Sequence, residues 1–223
     1  MTKELIAEAS GTAGLLFIIV GSGIAAQTLG SDPGFQLLAH GISVGLGLGV
    51  LIALFQTVSG SHFNPSVTIA FWRAESLSGA EAVAYAVAQS VGAVAGVALA
   101  NITFGESMIA ISQTARSGAG LVMAEAIGTF ILVLVILALV RTGRPAAAPA
   151  AVGAWVAAIV FATSSAGFAN PAVTLARMFT DTYTGIAPAS VAGFLAAQLI
   201  AGILAASAAR LLFPDYVPQR APA

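Results

Sequence analysis

A chain of 223 residues, of which 58% are hydrophobic and only 8% charged, has too few charges to cover a water-soluble globule, since soluble domains carry about 25%. Lys plus Arg total 8 and Asp plus Glu total 9, a net charge of −1, which excludes a basic surface for nucleic acid. Cysteine is absent and there are two histidines with no His-Glu-x-x-His motif; disulfides, thiol catalysis and thiolate metal sites are excluded, and no metal or cofactor is expected.

Apolar stretches long enough to span a bilayer fall in chain order at about 5–29, 36–58, 81–102, 121–141, 150–166 and 187–213. The first has a superficial likeness to a signal peptide, with Lys3 before an apolar run and Ala25-Ala26 after it, but Glu8 lies inside it and its motif returns later in the chain. It is read as a span. The linkers 59–78 and 167–185 are too apolar for water-exposed loops and too short for another crossing. With the N-terminus in the cytoplasm, Lys3, Arg73, Arg141, Arg144, Arg210 and Arg220 fall inside and only Arg116 and Arg177 outside. That balance satisfies the positive-inside rule with both termini cytoplasmic. The short chain and modest charge suggest a bacterial inner membrane.

Self-comparison shows an internal repeat. Glu8-Ala9-Ser10-Gly11-Thr12 returns as Glu125-Ala126-Ile127-Gly128-Thr129, Asn64-Pro65-Ser66-Val67-Thr68 as Asn170-Pro171-Ala172-Val173-Thr174, and Ala88-Gln89 as Ala197-Gln198. The order is kept and the spacing is about 110 residues each time. Residues 1–223 then form one transmembrane unit of two halves, about 1–115 and 116–223. Three spans per half force the halves to lie upside down to each other, which places a shared site near the midplane.

Asn64 and Asn170 are favoured helix N-caps, and Pro65 and Pro171 fit the first helical position. Short helices over 64–73 and 170–179 enter the membrane without crossing it, and the inverted halves bring their N-termini together. Each N-terminus carries about half a positive elementary charge, so the pair repels cations. The stretches Gly60-Ser61-His62-Phe63 and Ala166-Gly167-Phe168-Ala169 are non-helical, and carbonyls at membrane depth are tolerated where they line a wet path. Two amide donors, a line of carbonyls and a cation barrier describe a pore for small neutral solutes.

The chain resembles the aquaporin superfamily of major intrinsic proteins over essentially its whole length. The resemblance is carried by Glu8, Gly11-Thr12, Ser59 to Thr68, Ala88-Gln89, Glu125, Gly128-Thr129 and Gly167 to Ala172. It implies an all-α membrane protein with six transmembrane helices and two re-entrant half-helices in an inverted repeat. It also implies a homotetramer with one pore per subunit, passive conduction, and no enzymatic activity. Glu8 and Glu125 become anchors of the re-entrant loops. Along the family pattern, the outer selectivity filter falls on Val44, Ala158, Gly167 and Val173. Val173 occupies the slot where most members carry arginine, and Ser66 stands where the first box usually ends in alanine.

Losing the arginine, an imidazole and an aromatic ring widens this filter and makes it apolar. Water together with glycerol-like or metalloid-hydroxide solutes is the expected cargo, with a water-selective channel as the alternative. Phe168 or Phe35 is a candidate to refill the gap, and Arg177, one turn beyond Val173, a candidate partial substitute. His62 is either a gate at the cytoplasmic mouth or a loop-stabilising hydrogen-bond partner. His40 has no evident partner and receives no role. Gly41, Gly45 and Gly49 share one helix face, as do Gly92 and Gly96, a signal for close helix packing. An ion-coupled transporter is disfavoured by the lack of intramembrane charges beyond Glu8 and Glu125, and Ser61 beside His62 lacks an acidic partner for hydrolysis.

Overall fold

The computed structural model describes residues 1–214. Arg220, counted above for orientation, lies outside the described residues. Six helices are long and apolar enough to cross a membrane: α1 (Thr2–Leu29), α2 (Pro33–Ser59), α4 (Gly79–Thr103), α5 (Ala119–Arg141), α6 (Ala148–Ala162) with the 3-10 turn Pro145–Ala147 before it, and α8 (Pro188–Leu212). Between them lie two short helices, α3 (Pro65–Arg73) and α7 (Pro171–Ala176), the latter continued by a 3-10 turn over Arg177–Phe179.

Local chemistry sets several of these starts. Asp32 accepts from the Phe35 N–H at 2.7 Å with Pro33 in the first turn of α2, and Ser78 and Glu81 form a reciprocal capping box on α4. The fifth span differs from expectation. It begins at the 3-10 turn, since Pro149 is tolerated in the first turn, where its missing N–H costs nothing, and it ends at Ala162, about one turn before 166. Thr163 then leaves the helix, and Ala166 and Gly167 both take φ of +58°.

The bundle repeats its packing in both halves: α1 lies along α4, and α5 along α8. The short helices cross over, α3 packing mainly on α8 of the second half and α7 on α4 of the first. Close approach follows the small-residue faces. A Cβ at Gly92 or Gly96 would strike the carbonyls of Ala9 and Ala13 on α1, and one at Gly45 would strike the Gly153 carbonyl on α6. Leu46, Val50, Leu54, Val87, Val91 and Leu204 point outward and remain exposed, as an apolar surface facing lipid or a neighbouring subunit requires.

Candidate functional site

Two carboxylates organise the centre. Glu8 is fully buried; its Oε1 accepts from Ser59 Oγ at 2.6 Å and the His62 N–H at 3.0 Å, its Oε2 from the Phe63 N–H and Gln89 Nε2, both at 2.7 Å. Glu125, equally buried, accepts from the Phe168 N–H at 2.9 Å, the Ala169 N–H at 2.8 Å and Gln198 Nε2 at 2.6 Å. Each glutamine continues inward, donating to Thr68 Oγ1 or Thr174 Oγ1, and each threonine donates to the carbonyl of Asn64 or Asn170. A carboxylate in low dielectric is tolerable when its lone pairs are filled in this way.

These anchors hold unusual backbone. Phe63 and Ala169, the residues just before the two asparagines, both adopt φ of +48°, a left-handed conformation costing about 1–3 kcal/mol for a residue with a side chain. The carboxylates fix the N–H groups of both, and the carbonyls turn toward the opposite half. Asn64 Nδ2 donates to the Ala169 carbonyl at 2.8 Å, and Asn170 Nδ2 donates to the Phe63 carbonyl at 2.7 Å. Each asparagine also caps its own helix, Asn64 Oδ1 accepting from the Ser66 N–H and Asn170 Oδ1 from the Ala172 and Val173 N–H groups. Each Nδ2 has one further N–H, and both asparagines line the central cavity. Of the two donors on each amide, one is therefore committed across the junction.

The cavity takes one residue per turn from several helices: His40, Val44, Leu48 and Ile52 of α2, and Val152, Val156 and Val160 of α6. From the loops come Ser61, His62 and Phe63 on one side and Ala166, Gly167, Phe168 and Ala169 on the other, with Val173 and Arg177 beyond them. Of the four expected filter positions, Val44, Gly167 and Val173 border the cavity. Ala158 does not: it is exposed on the outer face of α6. Val156 and Val160, four residues apart, share the cavity face, and Ala158, two residues from each, falls on the opposite side of the helix.

Gly60 is likewise displaced from the wall. It is exposed and ends α2 at φ of +85°, its N–H donating to the Gln56 carbonyl at 3.1 Å. The carbonyls of Phe63 and Ala169 serve the asparagine clasp. Pro65, Ser66, Pro171 and Ala172 stand behind the asparagines as packing. Ser66 Oγ donates to the Gln198 carbonyl at 3.0 Å, so the serine in the alanine slot ties α3 to α8. Ser66→Ala is expected to lower stability by about 0.5–1.5 kcal/mol with solute flux unchanged; a thermal shift in detergent and a flux assay on one preparation check both halves of that statement.

His62 Nδ1 lies 3.1 Å from Thr68 Oγ1, and the ring is packed between Phe71 and Tyr85. Phe168 lines the cavity, its ring edge-on to Phe194, while Phe35 remains exposed beside Gly30. Sequence reasoning missed the working roles of Gln89, Gln198, Thr68 and Thr174. Their signal was present, because each glutamine and threonine sits inside a repeated box.

Six membrane-length helices, with two half-helices clasped N-terminus to N-terminus beside an axial cavity, define a polytopic membrane channel fold. The family model described as Major intrinsic protein matches residues 1–169. The chain is 40% identical to aquaglyceroporin AqpS of Rhizobium meliloti (strain 1021) over 218 residues, covering 98% of this chain and 93% of that protein. It is 30% identical to the probable aquaporin AqpM of Archaeoglobus fulgidus, covering 83% and 86%. The X-ray structure of the aquaglyceroporin from Plasmodium falciparum superposes with a TM-score of 0.78 at 21% identity, covering 96% of this chain and 97% of that one. The chain belongs to the major intrinsic protein family, and as such it is a multi-pass membrane channel and not an enzyme.

Proposed function

We propose that this chain conducts small neutral solutes passively, passing water together with glycerol-like or metalloid-hydroxide molecules between Asn64 and Asn170. The observation that carries the reading is the reciprocal clasp, in which each asparagine spends one N–H on the opposite half and retains one at the cavity. A solute oxygen passing the junction accepts from those remaining donors. The N-termini of α3 and α7 add partial positive charge at the same depth and oppose cations. Past the junction, Val44, Val156, Gly167 and Val173 give the outer filter a small, apolar lining, which suits a carbon backbone larger than water. The 40% identity to a protein named an aquaglyceroporin supports the same cargo. A water-selective pore has one observation in its favour, the Phe168 ring at the cavity wall beside Gly167.

The remaining assignments share this basis. Ser61, His62, Phe63, Ala166, Phe168 and Ala169 line the path, Glu8 and Glu125 anchor the loops, and the two halves act as one channel unit. Exposed apolar faces on the outer helices suit a homotetramer in a lipid bilayer. Arg73 and Arg210 meet at one end of the bundle and Arg116 and Arg177 at the other, which fits both termini in the cytoplasm of a bacterial inner membrane.

The test is Asn170→Asp. It removes the donor to the Phe63 carbonyl and sets a carboxylate at the junction. Water and glycerol permeability are expected to fall by at least about tenfold, or cation conductance to appear. Retention of neutral flux together with full cation exclusion speaks against the junction as the conducting site.

A further inference from the structure

Val44 and Val173, the small apolar lining of the outer filter, each have a polar residue one helical turn farther along the cavity. On α2 it is His40, four residues before Val44, and past α7 it is Arg177, four residues after Val173. On α6 the matching step leads from Val156 to Val160. The cavity thus changes from a valine ring to a ring containing a guanidinium and an imidazole within one turn.

Both side chains are built in. Arg177 is 4% exposed, its Nε donates to the Thr184 carbonyl, and its guanidinium carbon lies 3.4 Å from the centroid of the Phe168 ring, well within cation–π range. Its backbone carbonyl accepts from the Ile186 N–H at 3.2 Å. Arg116 stands 5.4 Å from the same ring centroid, fixed by donation to the Gly185 and Tyr183 carbonyls. Phe168 therefore serves as the platform that holds a guanidinium at the cavity wall. His40 is also 4% exposed; its Nδ1 lies 2.8 Å from Ser22 Oγ, and its ring meets Tyr183 edge-on at 5.8 Å.

Among the described residues, neither Arg116 nor Arg177 has a carboxylate ion-pair partner. The two Nη groups of Arg177 make no hydrogen bond among the described residues, and Arg177 borders the cavity. A guanidinium stays protonated, and its charge in a low-dielectric passage, with no carboxylate in ion-pair contact, raises the cost of any entering cation. Its free N–H groups offer donors to a neutral oxygen.

We infer that Arg177, with His40, forms a second, cationic constriction one turn outward of Val173 that excludes cations and hands hydroxyl-bearing neutral solutes to the apolar filter. This rests on the channel reading above. It moves the fixed charge of the pore to a residue outside the second Asn-Pro-Ala box.

Wild type, Arg177→Lys, Arg177→Met and Arg177→Gln are reconstituted and compared for glycerol entry by light scattering and for potassium efflux. Met and Gln are expected to raise potassium efflux per incorporated protein at least about tenfold while glycerol still enters faster than in protein-free vesicles, and Lys to stay within about threefold of wild type. Unchanged efflux in a neutral variant that still passes glycerol overturns the inference, as does a Lys variant that leaks like Met. Gln keeps an amide donor for the Thr184 carbonyl, so either neutral variant that assembles decides the matter. If neither neutral variant reaches the membrane while Lys does, the charge is a folding requirement and the filter role is overturned. A wild type that passes no glycerol and no water counts against the channel reading, separately from the comparison of leaks.

Discussion

Glu8→Gln is expected to destabilise the protein by about 1–3 kcal/mol for each buried donor left without an acceptor. The carboxylate accepts four hydrogen bonds, two at each oxygen, and an amide nitrogen can replace neither oxygen without facing a backbone N–H. If it sits at the Oε1 position it confronts the His62 N–H; at Oε2 it confronts the Phe63 N–H and Gln89 Nε2 together. A loss of that size is a large share of the 5–15 kcal/mol that separates folded from unfolded states in typical domains. The damage extends to the junction, because Phe63 is held at φ of +48° by the Glu8 contact, and its carbonyl receives the Asn170 amide. Thermal unfolding in detergent and flux of the reconstituted protein are therefore expected to fall together. Normal stability and normal flux in the glutamine variant contradict an anchoring role. Glu125→Gln should behave alike, with a somewhat smaller effect, since that carboxylate receives three bonds of this kind.

Val173→Arg is expected to lower glycerol permeability by at least about tenfold, equivalent to about 1.4 kcal/mol on the barrier, with water changed by less than about threefold. The valine is 1% exposed and borders the cavity, so the longer side chain has to occupy the passage. It also places a second guanidinium about one turn from Arg177, which lies in the 3-10 turn continuing α7, where like charges repel. A hydroxylated three-carbon solute needs the width that Val173 leaves, whereas a single water can pass beside the guanidinium and bond to it. Stopped-flow light scattering on matched preparations reads both rates. Equal loss of water and glycerol would mean that residue 173 supports the loop and does not set the width.

Much of the architecture is legible in the residues because membrane spans are long, apolar and uninterrupted, and because the boxes at Glu8, Asn64 and Gln89 recur in order. The two asparagine-capped half-helices follow from Asn-Pro chemistry alone. The fifth span was harder. Pro149 reads as a boundary, yet it sits in the first turn of α6, and the face that meets the cavity is set by packing against α2, which turns Val156 and Val160 inward and leaves Ala158 on the outer face. Loop geometry was also hidden: Gly60 turned out to end α2, and the carbonyls of Phe63 and Ala169 to serve the opposite asparagine. Partners far apart in sequence left no local sign. His40 meets Ser22 on a different helix, and Arg177 is aimed by a carbonyl at Thr184 and the ring of Phe168. Counting turns places Arg177 beside the filter, but only tertiary contacts set its guanidinium over the ring of Phe168, which lines the cavity.

The central claim, conduction of neutral solutes wider than water, is tested most directly by stopped-flow light scattering on proteoliposomes. Water efflux and glycerol entry are measured on one preparation, with protein-free vesicles of the same lipid as control. Glycerol entry and water efflux both well above control are the predicted result. Fast water with glycerol at the control rate would contradict the wide filter and turn attention to Phe168 and Arg177 as the residues that close it.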